Sequence, residues 1–197
     1  MMRDRVGHED RESALSSLPM KLLRLAVAIA ILVAPLTAPL AAQKRLRAPD
    51  VKYVPSPQSV VDAMLELAHV TAADIVYDLG SGDGRIPIRA AQRYGARAVG
   101  VELEPRLVAE ASDNAKRAGV AGRVWFVNQD LFETDFSDAT VVTLFLMPRL
   151  NQQLIPKLKA LRPGARVVSH MWDMGPDWPP EQTQDVSGLM IYLWTIR

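Results

Sequence analysis

The sequence predicts a single α/β domain with a doubly wound, mostly parallel sheet, preceded by a hydrophobic leader. Three observations carry this. Short apolar runs near 75–79, 98–103, 124–127, 140–146 and 166–170 alternate with helical patterns, as in a sheet with crossover helices. A glycine-rich turn, Gly80-Ser81-Gly82-Asp83-Gly84, joins the first run to the helix behind it, which marks a ligand loop on such a sheet. The chain has 197 residues, enough for one domain and not comfortably two.

The elements follow in order. Residues 25–42 carry no charge and follow Lys21 and Arg24. Read from Met20, they resemble a secretory signal peptide with small residues at Ala41-Ala42. The rival reading is an uncleaved anchor, shortened by Pro35 and Pro39. Residues 1–42 are therefore set apart as signal peptide or membrane anchor, 43–55 as a linker and 56–197 as the domain. Ser56-Pro57 suits a helix start, a capping serine before a proline. Val60, Val61, Met64, Leu65 and Ala68 then make one apolar stripe. A strand over 75–79 runs through the glycine turn into a helix over 85–94, closed by Gly95. Leu107, Ala111, Ala115 and Ala118 mark the helix after the second strand. The continuous apolar run 140–146 implies a strand covered on both faces. Leu150, Leu154, Leu158 and Leu161 repeat at helical spacing around Pro156, which predicts a kink or a late start. Pro163-Gly164 turns into a fifth strand over 166–170. A short segment and a last strand over 189–196 follow, separated by Gly188.

Composition narrows the chemistry. The chain is 49% hydrophobic and 23% charged, with net charge +1, so no basic field points to nucleic acid. Residues 1–42 hold five of the basic and four of the acidic side chains, which leaves the remainder neutral. The absence of cysteine excludes disulfides, Cys-ligated zinc and thiol catalysis. His8, His69 and His170 are too scattered for a metal site, and no metal is expected.

Asp78, two residues before Gly80, shapes the reading of the loop. A dinucleotide fingerprint is G-x-G-x-x-G; here the spacing is G-x-G-x-G, and Arg85 takes the place of the third fingerprint glycine. A carboxylate beside the loop would repel a pyrophosphate and suits a ligand with a cationic end, such as S-adenosylmethionine. Gly80, Gly82 and Gly84 let the backbone pass close to it, and Ser81 offers its hydroxyl or N–H to the methionine carboxylate. Glu102, 24 residues after Asp78, can accept both ribose hydroxyls. Asp130 can accept the adenine amino group while Leu131 or Phe132 packs on the purine. Asp83 is either a contact or a turn stabiliser. In methyltransferases, which the D-x-G-x-G-x-G pattern of Asp78 to Gly84 resembles, the turn after the fourth strand, here Met147-Pro148, presents the methyl acceptor. No acid or Asn-Pro-Pro motif stands there, which argues against adenine-N6 or amide methylation. His170, Trp172, Asp173 and Trp178 could wall a cationic side chain, and a neutral His170 could take a proton. The catalytic residue is thus unassigned, with His170, Trp172 and Met147 as candidates. A nicotinamide-dependent oxidoreductase and a non-catalytic cofactor-binding module are the alternatives.

The pattern D-x-G-x-G-x-G resembles motif I of the class I methyltransferases. Tyr53-Val54-Pro55-Ser56-Pro57, Asp78 to Arg85, Val99-Gly100-Val101-Glu102 and Gln129-Asp130-Leu131 together look like one group. They are similar to the lysine methyltransferases of the ATP synthase c-subunit and the adenine nucleotide translocase, and to their bacterial relatives. The resemblance implies a Rossmann-like seven-strand sheet, S-adenosyl-L-methionine as cofactor and a lysine amine on a membrane protein as acceptor. It implies that Tyr53 and Pro55 close over the cofactor while Asp78, Gly80, Glu102 and Asp130 hold it.

The leader and that cofactor conflict, because the cofactor is made in the cytosol. Lys44, Arg45, Arg47 and Lys52 follow the apolar segment; Lys21 and Arg24 precede it when the chain starts at Met20. The balance favours a membrane-associated protein facing the cytoplasm over a periplasmic one; from Met1, three more arginines remove the bias.

Overall fold

Why these residues build a sheet covered on both faces is visible in the strands themselves. A computed structural model describes residues 46–48 and 52–197, within one unit, Arg45–Arg197. The leader expected at 25–42 lies outside the described residues. The described helices are α1 (Gln58–Leu67), α2 (Arg85–Tyr94), α3 (Pro105–Arg117) and α4 (Pro148–Lys159). The strands are β1 (Ile75–Leu79), β2 (Arg97–Glu102), β3 (Val124–Asn128), β4 (Val141–Leu144), β5 (Arg166–His170), β6 (Gln182–Val186) and β7 (Leu189–Thr195).

They form one seven-stranded sheet in the order β3-β2-β1-β4-β5-β7-β6. The first five pair in parallel, and β7 runs antiparallel to both β5 and β6. In β4 and β5, successive side chains point to opposite faces. Val141 and Val168 join Val60, Met64 and Ala90 of α1 and α2 on one face. Val142, Val167 and Trp194 join Leu150, Leu154 and Leu158 of α4 on the other. Both faces being buried explains the unbroken apolar runs. The order reverses between β1 and β4, so a crevice opens beyond their carboxyl ends.

Three local expectations are corrected. Ser56 does not cap α1: Pro57 is the residue before the helix, with no side-chain cap bond, and the Ser56 hydroxyl is used elsewhere. Pro156 does not delay the start of α4, which begins at Pro148 and runs through it. It sits on the exposed face, where water can satisfy the carbonyl that proline leaves without a donor. The segment before Gly188 is a full strand, β6, mostly exposed and polar. As an edge strand it needs no apolar alternation. Among the described residues, no helix is long and apolar enough to cross a membrane.

Trp194 is 1% exposed, and its indole N–H donates to the Trp178 carbonyl at 2.9 Å. Trp194→Ala is expected to destabilise the fold by about 3–5 kcal/mol. Trp125→Ala on the edge strand, 49% exposed, is expected to stay within about 0.5 kcal/mol. Urea denaturation of the two variants checks both.

Candidate functional site

A cleft of about 230 Å³ opens at the carboxyl ends of β1, β2 and β4. Its floor is Asp78, 3% exposed, at the end of β1. Thr143, its register partner on β4, donates its hydroxyl to Asp78 Oδ1 at 2.7 Å. Burial, then the charges of Glu102 and Asp83, push the Asp78 carboxyl up to about 7. A buried carboxylate of this kind is stabilised in its charged form by a cationic neighbour.

The glycine turn folds over the end of β2. Gly80 and Ser81 N–H both donate to the Val101 carbonyl, at 2.9 and 3.0 Å, and Gly82 N–H donates to Glu102 Oε2 at 2.9 Å. The other Glu102 oxygen accepts Glu104 N–H at 2.9 Å. The Ser81 N–H is therefore committed to backbone. Its hydroxyl is buried with no partner and lies against Gly100 of β2, so it meets a ligand in the cleft only by turning about χ1. Each carboxylate oxygen of Glu102 keeps acceptor capacity beside its one backbone bond.

Side-chain packing requires glycine here as much as ligand approach does. A Cβ on Gly82 (φ +53°) would lie 2.1 Å from Tyr53 Cε2, and one on Gly84 (φ +81°) 2.4 Å from Phe126 Cζ. Asp83, just before the Gly84 N-cap of α2, accepts Arg85 N–H at 3.2 Å and grips the guanidinium at 2.9 and 2.7 Å. Burial works against ionised Asp83, but its bonds to Arg85 hold the carboxyl below the usual range. Asp83, Asp78 and Glu102 make this wall hostile to a pyrophosphate.

The expected residues divide. Tyr53, Pro55, Asp78, Gly80, Ser81, Glu102 and Leu131 line the cleft, as do Met147 and Trp172 at its mouth. Gly82, Gly84, Asp130 and His170 do not. Asp130 caps the turn after β3, accepting Phe132 N–H at 3.0 Å, and is paired with Arg47, whose Nη2 lies 3.3 Å from Oδ1. His170 is buried behind the wall, its ring 4.1 Å from that of Phe145, and burial pushes its imidazole down to about 4. It is a neutral side chain away from the cleft surface. The aromatic group read after β5 splits: Trp172 reaches the cleft, whereas Trp178 packs on Trp194 with ring centroids 5.8 Å apart. Asp173 is a turn residue that accepts Gly175 N–H.

The tertiary structure adds residues that periodicity did not single out. Arg47, Lys52 and Gln129 line the cleft. Asn128 ties the end of β2 with bonds to the Glu102 and Leu103 carbonyls at 3.0 and 2.9 Å. Asn151 is wholly buried in α4 and donates to the Trp172 carbonyl at 3.1 Å, the same carbonyl that takes the Ser169 hydroxyl. These bonds hold the turn that presents Trp172.

The raised Asp78 carboxyl has a stability consequence. The folded chain binds this proton more tightly than the unfolded chain, so its contribution falls as pH rises from about 3.8 to about 7 and stays unfavourable above that. Asp78→Asn keeps an acceptor for Thr143 and removes the charge. Its stability advantage over the wild type is expected to grow by roughly 2.5 kcal/mol between pH 5 and pH 8, measured by urea denaturation. A constant difference would contradict the assignment.

Comparison with known proteins agrees with this geometry. The family described as the ANTKMT methyltransferase domain matches residues 78–182. A protein-lysine N-methyltransferase of Saccharolobus islandicus is 48% identical over 154 residues, 75% of this chain and 95% of the relative. The adenine nucleotide translocase lysine N-methyltransferase of Mus musculus is 42% identical over 132 residues, 66% of this chain and 56% of the relative. The chain thus spans nearly all of the archaeal relative and about half of the mouse one. A Salinibacter ruber crystal structure, described as an RNA methyltransferase in complex with S-adenosyl-L-homocysteine, superposes with a TM-score of 0.71 at 58% identity, covering 73% of this chain and 94% of that one. With a buried acid, a glycine turn and a second acid on the neighbouring strand in place, the chain belongs to the ANTKMT methyltransferase domain family.

Proposed function

We propose that the chain transfers a methyl group from S-adenosylmethionine to the ε-amine of a protein lysine. The observation that carries the cofactor is Asp78, a buried carboxylate at the cleft floor beside the unpartnered Ser81 hydroxyl. Asp78 answers the ammonium of the cofactor's methionine part, Ser81 its carboxylate, and Glu102 its ribose. Leu131 packs on the adenine, and Asp130 reaches its amino group once it shares or releases Arg47. Tyr53 and Pro55 cover the site, and Gly82 and Gly84 support it by admitting the rings of Tyr53 and Phe126. The bound cofactor supplies the activated methyl group.

The chain's own task is to hold a neutral amine in line behind that methyl, where positioning can lower the barrier by roughly 7–11 kcal/mol in favourable cases. A lysine at its ordinary pKa of about 10.4 arrives protonated. Phe145, Met147, Leu150 and Trp172 line an apolar acceptor side that favours the uncharged form. Among the described residues lining the cleft there is no histidine, and His170 near 4 is no base at neutral pH. Water takes the proton as the amine enters. A protein acceptor matches the names of the archaeal and mouse relatives, and a membrane protein is the finer form of that reading. The leader adds membrane association with the domain facing the cytoplasm. An inactive alkaline phosphatase fused to the C-terminus is the expected result, and an active one with a mature N-terminus at Gln43 would overturn it.

Two measurements test the activity. Calorimetric titration with S-adenosylhomocysteine is expected to show binding that weakens as pH falls below about 7, because Asp78 must give up its proton. Asp78→Asn is expected to bind at least about tenfold more weakly and to lose that pH dependence. Incubation of cell protein and RNA fractions with methyl-labelled cofactor is expected to label protein, at lysine by mass spectrometry. Label confined to RNA would transfer the description of the Salinibacter protein to this chain, and no label at all would favour a binding module without turnover.

A further inference from the structure

Arg85 stands where a dinucleotide loop carries its third glycine, and the structure gives its guanidinium two partners. Nε and Nη2 grip the two oxygens of Asp83 at 2.9 and 2.7 Å, and Nη1 donates to the Ser56 carbonyl at 2.8 Å. Ser56 is buried, and its hydroxyl forms a 2.9 Å hydrogen bond with His170 Nδ1 at the end of β5. Three residues earlier, the Tyr53 ring covers Gly82 so closely that no Cβ would fit. Between these fastenings Val54 and Pro55 are exposed yet line the cleft. The segment 53–56 is thus tied to the glycine turn, to the first turn of α2 and to β5, while the residue before α1, Pro57, makes no side-chain cap bond.

We propose that Arg85 and His170 are positioning residues that hold segment 53–56 as a strap across the cofactor cleft, acting on it through Ser56. The arrangement needs the planar fork of arginine, because one end of it bonds a carboxylate while another bonds a carbonyl in the same plane. It also explains why a buried histidine with an unpartnered Nε2 stands next to the cleft without reaching it. Its role is to bond Ser56 on one side and to pack against Phe145, a wall of the acceptor side, on its ring face. The strap is thereby linked to both halves of the cleft. The role in cofactor retention rests on the reading that the cleft takes S-adenosylmethionine.

The test uses the full chain with Arg85→Lys and Ser56→Ala. The lysine keeps the charge and loses the fork, and the alanine loses the bond to His170. One readout needs no ligand: the rate of chymotryptic cleavage after Tyr53. The other is the dissociation rate of S-adenosylhomocysteine by stopped-flow displacement. Both rates are expected to rise about tenfold in each variant, with Tm lowered by only a few degrees. Unchanged rates in both variants, acceleration in only one, or a lowered Tm with unchanged dissociation would overturn the proposal. A wild-type chain that does not retain S-adenosylhomocysteine, with Tyr53 cleavage still accelerated in both variants, would defeat the cofactor reading and leave the strap anchorage standing.

Discussion

A carboxylate buried at the floor of a cleft is costly, and much of the site is organised around keeping one there. Asp78 lies between β2 and β4 with a single side-chain partner, Thr143. In the low dielectric of the sheet end, its charged form is disfavoured until a cation arrives. The neighbouring acids, Glu102 and Asp83, add to that strain rather than relieve it. An apolar or amide residue would make a more stable floor. The chain therefore keeps a costly acid at the floor of the cleft, as functional sites commonly do.

The turn above this floor is held open by crowding. Gly82 and Gly84 are positions where another residue would strike the rings of Tyr53 and Phe126, and Gly100 on β2 is pressed by Phe126 and Ser81 in the same way. Phe126, from β3, is thus wedged under the turn and fixes its height above the sheet. Gly80, Ser81 and Gly82 spend their N–H groups on β2. These donors are already committed to the sheet, so they do not face the cleft. A dinucleotide loop uses its amides on phosphate instead, and that difference separates the two loop types more clearly than glycine spacing does.

The mouth of the cleft has another character. Val54, Met147 and Trp172 are three of the four large exposed apolar side chains among the described residues, and all three line the cleft. They come from the strap, the start of α4 and the turn after β5. The acids lie inside and the apolar groups at the mouth. On the proposed reading, this order holds a charged cofactor deep while an amine sheds water as it approaches.

Much of this was legible in the chain. The alternation of apolar runs and helical stripes predicted β1 to β5 and the helices between them, because buried parallel strands are apolar throughout and amphipathic helices repeat at 3.6 residues. Asp78, the glycine turn and Glu102 stood out because strand-end acids and glycines are local features, and the resemblance at Tyr53 to Pro57 marked the strap. The polar edge strand β6 escaped, since an exposed edge carries no burial signal, and Ser56 looked like a helix cap. Its true partners, Arg85 and His170, lie 29 and 114 residues away. The approach of Arg47 to Asp130, the commitment of the Ser81 N–H to β2, and the separation of Trp172 from Trp178 likewise depend on residues remote in sequence. Local pattern determined the elements and the acid-glycine turn, because propensity and periodicity act over a few residues. Which side chains face the cleft was decided only by packing, because that depends on contacts between segments brought together by the fold.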